Sequence, residues 1–135
     1  MADNGVVLCN FSLKPGHSIE VKGFIPEGCK KFNINLGTGD KNFVLHFNPR
    51  FDALDVKNKI IMNSMVDNVW GEEQEESFFP FQEGADTAVS FQFEKDAIAI
   101  RLSTGNPLSF PVRVPVEEIT YLAVKDLQLK SITLK

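Results

Sequence analysis

Apolar side chains recur at every second position along most of this chain, while the three- and four-residue spacing of an amphipathic helix is nearly absent. Phe32, Ile34 and Leu36 alternate with Asn33 and Asn35. Phe43, Leu45 and Phe47 alternate with Val44, His46 and Asn48, which predicts a strand with Phe43, Leu45, Phe47 and Phe51 on one face. Val89, Phe91 and Phe93, then Ile98, Ile100 and Leu102, continue the pattern. Turn residues separate the runs: Lys14-Pro15-Gly16, Pro26-Glu27-Gly28, Gly37-Thr38-Gly39-Asp40, Gln82-Glu83-Gly84-Ala85-Asp86, Glu94-Lys95-Asp96 and Thr104-Gly105-Asn106-Pro107. The spacing predicts roughly eleven short strands and at most one helical turn, near residues 115–118. One apolar and one polar face per strand makes the expected fold all-β, a sandwich of two antiparallel sheets. A closed barrel of the lipid-carrier kind has a similar length, but needs a helical lid after its first strand, where residues 12–30 read as turn, strand and turn.

The length of 135 residues suits a single domain, residues 1–135, with a core large enough to need no disulfide. Twelve Phe against one Trp and one Tyr say that phenyl rings build that core, which leaves Trp70 as a residue whose position needs another reason. A net charge of −4, with Lys30-Lys31 as the longest basic run, gives a nucleic-acid backbone little to bind. No apolar run approaches the ~20 residues that cross a bilayer, so membrane insertion is not expected. Met1-Ala2-Asp3-Asn4 lacks the basic flank of a secretory signal, so the expected compartment is the cytosol, with Cys9 and Cys29 as free thiols and the sequon Asn10-Phe11-Ser12 unused.

Candidate chemistry sits on one strand face. His46, Asn48 and Arg50 are each two residues apart, so an extended chain points all three the same way. A hydrated strand face is usually Lys, Glu or Thr; these three are directional donors and acceptors. Asn63 adds an amide on a following strand, and Val69-Trp70-Gly71-Glu72-Glu73 places the lone indole near a carboxylate beside a glycine that permits close approach. A pyranose matches such a set, since its rim of hydroxyls needs bidentate polar partners and its C–H face can lie on an aromatic ring. Other chemistries fit less well. Glu73 and Glu75 are a conceivable pair of hydrolytic carboxylates, but together with Glu72 and Glu76 they read as a solvated acidic edge. Two histidines, His17 and His46, without carboxylates at ligand spacing, make no metal signature, and neither a cofactor nor a metal is expected.

The order and spacing of several segments resemble the galectin signature: Val44-Leu45-His46-Phe47-Asn48-Pro49-Arg50-Phe51, Ile61-Met62-Asn63-Ser64, Val69-Trp70-Gly71-Glu72-Glu73-Gln74 and Phe79-Pro80-Phe81. The resemblance runs from Leu13-Lys14-Pro15-Gly16 through Asn35-Leu36-Gly37 to Phe110-Pro111-Val112-Arg113, and is nearest to the single-domain, proto-type members. It implies a jelly-roll-like β-sandwich that binds β-galactosides such as lactose and N-acetyllactosamine on glycoproteins or glycolipids, without metal and without catalysis. It implies that His46, Asn48 and Arg50 bind the axial 4-hydroxyl of galactose, that Asn63 and Glu73 take the 6-hydroxyl, that Trp70 stacks on the sugar, and that Glu73 also holds Arg50. It implies a homodimer joined through the terminal strands, able to cross-link glycans, and a cytosolic protein exported without a signal peptide. Two positions depart from the pattern. Glu75 stands where many members carry an Arg that meets the second sugar, and Leu54-Asp55-Val56 stands where many have His-Gly-Asp. The departures leave open an altered preference, or a sandwich that works by protein contact.

Overall fold

The computed structural model describes residues 5–135; the expectation placed on Met1 to Asn4 lies outside the described residues. Among the described residues twelve strands form two antiparallel sheets, and the segment at residues 115–118 is irregular, without a helical turn. The larger sheet contains β1 (Gly5–Leu13), β11 (Ile119–Lys125), β3 (Asn33–Gly39), β4 (Asn42–Ala53), β5 (Val56–Val66) and β6 (Val69–Trp70) in that spatial order, with β7 (Gln74–Glu76) also pairing with β5. In the smaller sheet the order is β10 (Leu108–Pro111), β9 (Ala97–Arg101), β8 (Ala85–Phe93), β2 (Ser18–Ile25) and β12 (Gln128–Leu134).

The alternation seen in the sequence places the core between the sheets. Leu45 and Phe47 of β4, Ile60 and Met62 of β5, Ile19 and Val21 of β2, and Val89, Phe91 and Phe93 of β8 are all buried in one cluster. Phenyl rings join the layers edge to face: Phe47 meets Phe91 at 5.5 Å and 83°, and Phe32 meets Phe81 at 5.3 Å and 86°. This offset geometry is the one that aromatic quadrupoles favour. Cys9 and Cys29 are free thiols.

One residue of the predicted core face is elsewhere. Phe43 pairs with Met65 and His46 with Asn63, so three steps along β4 match two along β5, and the register shifts between them. Such a bulge reverses the facing of everything before it. Val44 therefore joins the core, while the Phe43 ring lies beside the rings of His46, Trp70 and Tyr121 at centroid distances of 6.5, 6.1 and 6.3 Å. Gly37 of β3 lies against the bulge, where a Cβ would collide with the carbonyl oxygen of Asn42.

Two short hairpins complete the exposed face of the larger sheet. Ala53 pairs with Val56 across Leu54 and Asp55, which both have positive φ (51° and 64°), the conformation of a tight two-residue turn whose twist suits the flanking strands. Asp67 and Asn68 do the same between β5 and β6, at φ 50° and 68°.

Candidate functional site

The exposed face of β3, β4 and β5, closed on one side by the segment after β6, forms a cleft of about 400 Å³ lined by His46, Asn48, Arg50, Asn63, Trp70 and Glu73, together with Lys31, Asn33, Leu54 and Gly71. Six of the seven residues singled out in the sequence thus meet in one place. Glu75 does not line the cleft: it lies on β7 opposite Ile61, and its carboxylate pairs with Lys59 at 3.2 Å. Lys59, cross-strand neighbour of Arg50, holds Glu75, while the cation beside Glu73 is Arg50. Glu73 and Glu75 also do not share a strand face, because β7 begins only at Gln74.

Strand alternation presents the donors and acceptors, and a second tier of bonds holds them. Asn48 is buried and its Nδ2 donates to the carbonyl of Phe32 at 2.9 Å. Its Oδ1 accepts from Arg50 Nε at 2.9 Å, which orients the guanidinium and leaves both terminal nitrogens for other partners. One of these, Nη2, stands 3.9 Å from Glu73 Oε2, an ion-pair distance longer than the direct charge-assisted bond expected from the sequence. Arg50 itself is only 8% exposed, so this guanidinium is largely withdrawn from water.

His46 Nδ1 lies 2.6 Å from Oδ1 of Asn35, its cross-strand neighbour on β3. With the amide oxygen as acceptor, the imidazole carries its proton on Nδ1 and leaves Nε2 as an acceptor. Burial, followed by the nearby Arg50 charge, pushes the pKa of His46 down to about 4, against an opposing contribution from the Asn48 side chain. The ring is neutral at pH 7. It meets Trp70 at 4.7 Å between centroids, tilted by 58°, and the indole remains 49% exposed on the rim.

Asn63 is buried and largely committed. Its Nδ2 donates to the carbonyl of Gly71 at 3.0 Å, and its Oδ1 accepts from Ser64 N at 2.7 Å and from Arg113 Nη1 at 3.2 Å. Arg113 also donates to Ser64 Oγ at 3.1 Å and lies 4.7 Å over the Phe110 ring. This knot ties the segment after Trp70 to β5. Gly71 is required within it, because a Cβ there would come within 2.9 Å of both Arg113 Nη1 and Ser64 Oγ. Among the described residues no group of three or more His, Cys, Asp and Glu side chains is arranged to hold a metal ion.

Sequence reasoning did not assign Asn35, Lys31 or Arg113 to the site. Asn33 and Asn35 were visible as amides on the polar face of a strand, but nothing local says that this strand lies next to β4. Arg113 is 50 residues from Asn63 in the chain, and only the fold makes them neighbours.

Comparison with known proteins agrees with this geometry. The family model described as galactoside-binding lectin matches residues 5–134. The chain is 48% identical over 132 residues to galectin-1 of Rhinella arenarum, covering 98% of each chain. A toad ovary galectin solved in complex with thio-digalactose superposes with a TM-score of 0.96 at 47% identity, covering 99% of this chain and 100% of that one. A homodimeric agglutinin from chicken liver, CG-16, superposes with a TM-score of 0.93 at 35% identity, covering 97% and 99% of the two chains. A match this complete, over a cleft that gathers the expected side chains, makes the protein a member of the galactoside-binding lectin family, the galectins.

Proposed function

We propose that the cleft binds the galactose unit of β-galactosides and that the axial 4-hydroxyl is the group it recognises. The protein is a lectin, not an enzyme, and its task is selective binding. The observation that carries the assignment of roles is the bond pattern of His46, Asn48 and Arg50. A hydroxyl has one hydrogen to donate and two lone pairs to accept with. Neutral His46 offers Nε2 as an acceptor, while Arg50 has uncommitted terminal N–H groups and Asn48 retains a second amide N–H. One hydroxyl standing between the three side chains satisfies them all.

An axial hydroxyl leaves the ring roughly perpendicular to its mean plane, so it reaches down to β4 while the C–H face of the ring lies against Trp70. An equatorial hydroxyl at the same carbon lies in that plane and leaves buried donors and acceptors unpaired, at about 1–3 kcal/mol each. Asn63 and Glu73, on the Trp70 side of the cleft, take the exocyclic 6-hydroxyl. Glu75, outside the cleft lining and paired with Lys59, has no direct part in holding galactose.

We also propose a homodimer through the outer strands, as in the relative described as a homodimeric agglutinin. β1 and β12 each end a sheet, and both expose apolar side chains, Val6 and Val7 on one and Leu134 on the other. Such edges invite pairing across a two-fold axis, and two cleft copies then bind clustered glycans with added avidity. The deciding experiment is calorimetric titration with lactose, methyl β-galactoside and methyl β-glucoside, with and without chelator. Galactoside binding that ignores the chelator and exceeds glucoside binding at least tenfold is expected. Equal affinity for the two methyl glycosides refutes the assignment of His46, Asn48 and Arg50, and sedimentation as a monomer at micromolar concentration removes the dimer alone.

A further inference from the structure

Arg113 supports the sugar site with one nitrogen only. Nη1 donates to Asn63 Oδ1 at 3.2 Å and to Ser64 Oγ at 3.1 Å. Among the described residues Nε and Nη2 have no acceptor, and no carboxylate pairs with the guanidinium. This cation lines a hollow of about 80 Å³ at the end of the larger sheet, where β4 and β5 meet the loop after β10. Six apolar side chains, Phe43, Val44, Met65, Val66, Val114 and Val116, line the same hollow, and Arg113 is its one charged residue. Val66 and Val114 are 41% and 52% exposed, so the hollow opens to water between them.

We infer that this hollow, separate from the sugar cleft, is a binding site for a small apolar carboxylate, and that its occupancy strengthens sugar binding. The tail of a short branched acid fills the apolar part, and its carboxylate takes the open edge of Arg113. The coupling rests on the galactoside reading above; the binding of the acid does not.

Apolar walls with one fixed charged group are the usual make-up of a small-molecule site, the walls supplying affinity and the charge orientation. With no carboxylate in the lining, an anion meets attraction from Arg113 and no repulsion from the walls. The Nε and Nη2 edge of a guanidinium presents two parallel N–H groups, a fork that matches a carboxylate. The volume sets the size of the tail: it is below the roughly 150 Å³ in which a protein interior accepts benzene, so a short branched chain fits better than a ring. A carboxylate on the Nε and Nη2 edge leaves Nη1 free to keep Asn63 and Ser64. It also fixes the guanidinium against the segment after Trp70, since a Cβ on Gly71 would lie only 2.9 Å from Nη1. Asn63 and the segment that carries Trp70 and Glu73 are then already ordered when the sugar arrives, which is the source of the coupling.

The test titrates isotope-labelled protein with isocaproate, with its neutral amide and with acetate, following backbone and methyl NMR signals, and compares the wild type with Val114→Glu and Arg113→Met. Isocaproate should shift Met65, Val66, Val114 and Val116 saturably, and the amide and acetate should each bind at least roughly tenfold more weakly, since one lacks the charge and the other the tail. Val114→Glu sets a carboxylate at the mouth and Arg113→Met removes the cation, so both should weaken isocaproate by a similar factor. Val114→Glu should leave lactose affinity unchanged without acid, which shows that the variant is folded. Calorimetric titration of the wild type with lactose should give an affinity about two- to fivefold higher in saturating isocaproate, and lactose should raise isocaproate affinity by the same factor. Amide binding equal to acid binding, isocaproate affinity unmoved by Val114→Glu, or lactose affinity unmoved by saturating acid overturns the inference. Tighter binding of acetyl-glycyl-leucine than of isocaproate would assign the hollow to a peptide C-terminus and overturn the small-acid reading. Failure of the wild type to bind lactose at all would remove the galactoside reading, while the NMR titration would still decide whether the acid binds.

Discussion

Protonation of His46 provides a quantitative check on the site. Its pKa is near 4 when folded against an ordinary value near 6.5, because burial and the Arg50 charge both oppose a second positive charge on β4. Between those two values the unfolded chain binds a proton that the native ring refuses. Stability therefore falls as pH drops through that window, and this group contributes no further change below about 4. At 1.36 kcal/mol per unit, the loss from His46 alone is about 2 kcal/mol by pH 5. The measurement is denaturant unfolding of the wild type and of His46→Gln, which cannot titrate, at pH 7 and pH 5. Carboxylates shared by the two proteins contribute equally, so the stability difference between them should shift by about 2 kcal/mol against the wild type on acidification. Lactose affinity of the wild type should meanwhile stay level from pH 7.5 to 5.5 and fall only as pH approaches 4, where the acceptor on Nε2 is lost. Nitrogen chemical shifts of the ring at pH 7 should report a bare Nε2. A stability difference that is the same at both pH values, or an affinity midpoint near 6.5, would refute the neutral, Asn35-bound imidazole.

Replacing Trp70 by Leu should weaken lactose binding by about 1 kcal/mol or more, the worth of an aromatic stack, with little change in unfolding midpoint because the indole is half exposed. Arg113→Met removes two hydrogen bonds, to Asn63 and Ser64, and the contact over Phe110. A cost of about 1–2 kcal/mol in stability is expected, with weaker lactose binding although Arg113 is absent from the cleft lining; unchanged affinity would show that Asn63 needs no such support. Glu75→Gln should alter lactose affinity less than twofold by calorimetry, since Glu75 engages Lys59 outside the cleft. In a timed alkylation followed by mass spectrometry, exposed Cys9 should react before Cys29, whose thiol is half-buried and has a pKa raised chiefly by burial.

The two-residue period of Phe32 to Leu36, Leu45 to Phe47 and Val89 to Phe93 was enough to establish a β-sandwich and the identity of most of its core. A strand exposes alternate side chains to opposite faces whatever its partners are, so this information is local. The same local rule put His46, Asn48 and Arg50 on one face, and the lone Trp70 beside glutamates marked the rim. Phe43 shows where the rule stops. The bulge between Phe43 and His46 depends on how β4 registers against both β3 and β5, and no alternation within β4 reveals it.

What only tertiary structure decided follows from contacts between distant parts of the chain. Adjacency of β3 and β4 sets the tautomer of His46 through Asn35, and the loop after β10 brings Arg113 under Asn63. Pairing of β7 with β5 hands Glu75 to Lys59, 16 residues away, and removes it from a site where its sequence neighbour Glu73 remains. Types and spacing of residues determined which groups this protein has for gripping a sugar. Their protonation, orientation and support were decided by the packing of strands, because hydrogen bonds and charge interactions depend on distance in space, and distance along the chain does not contain it.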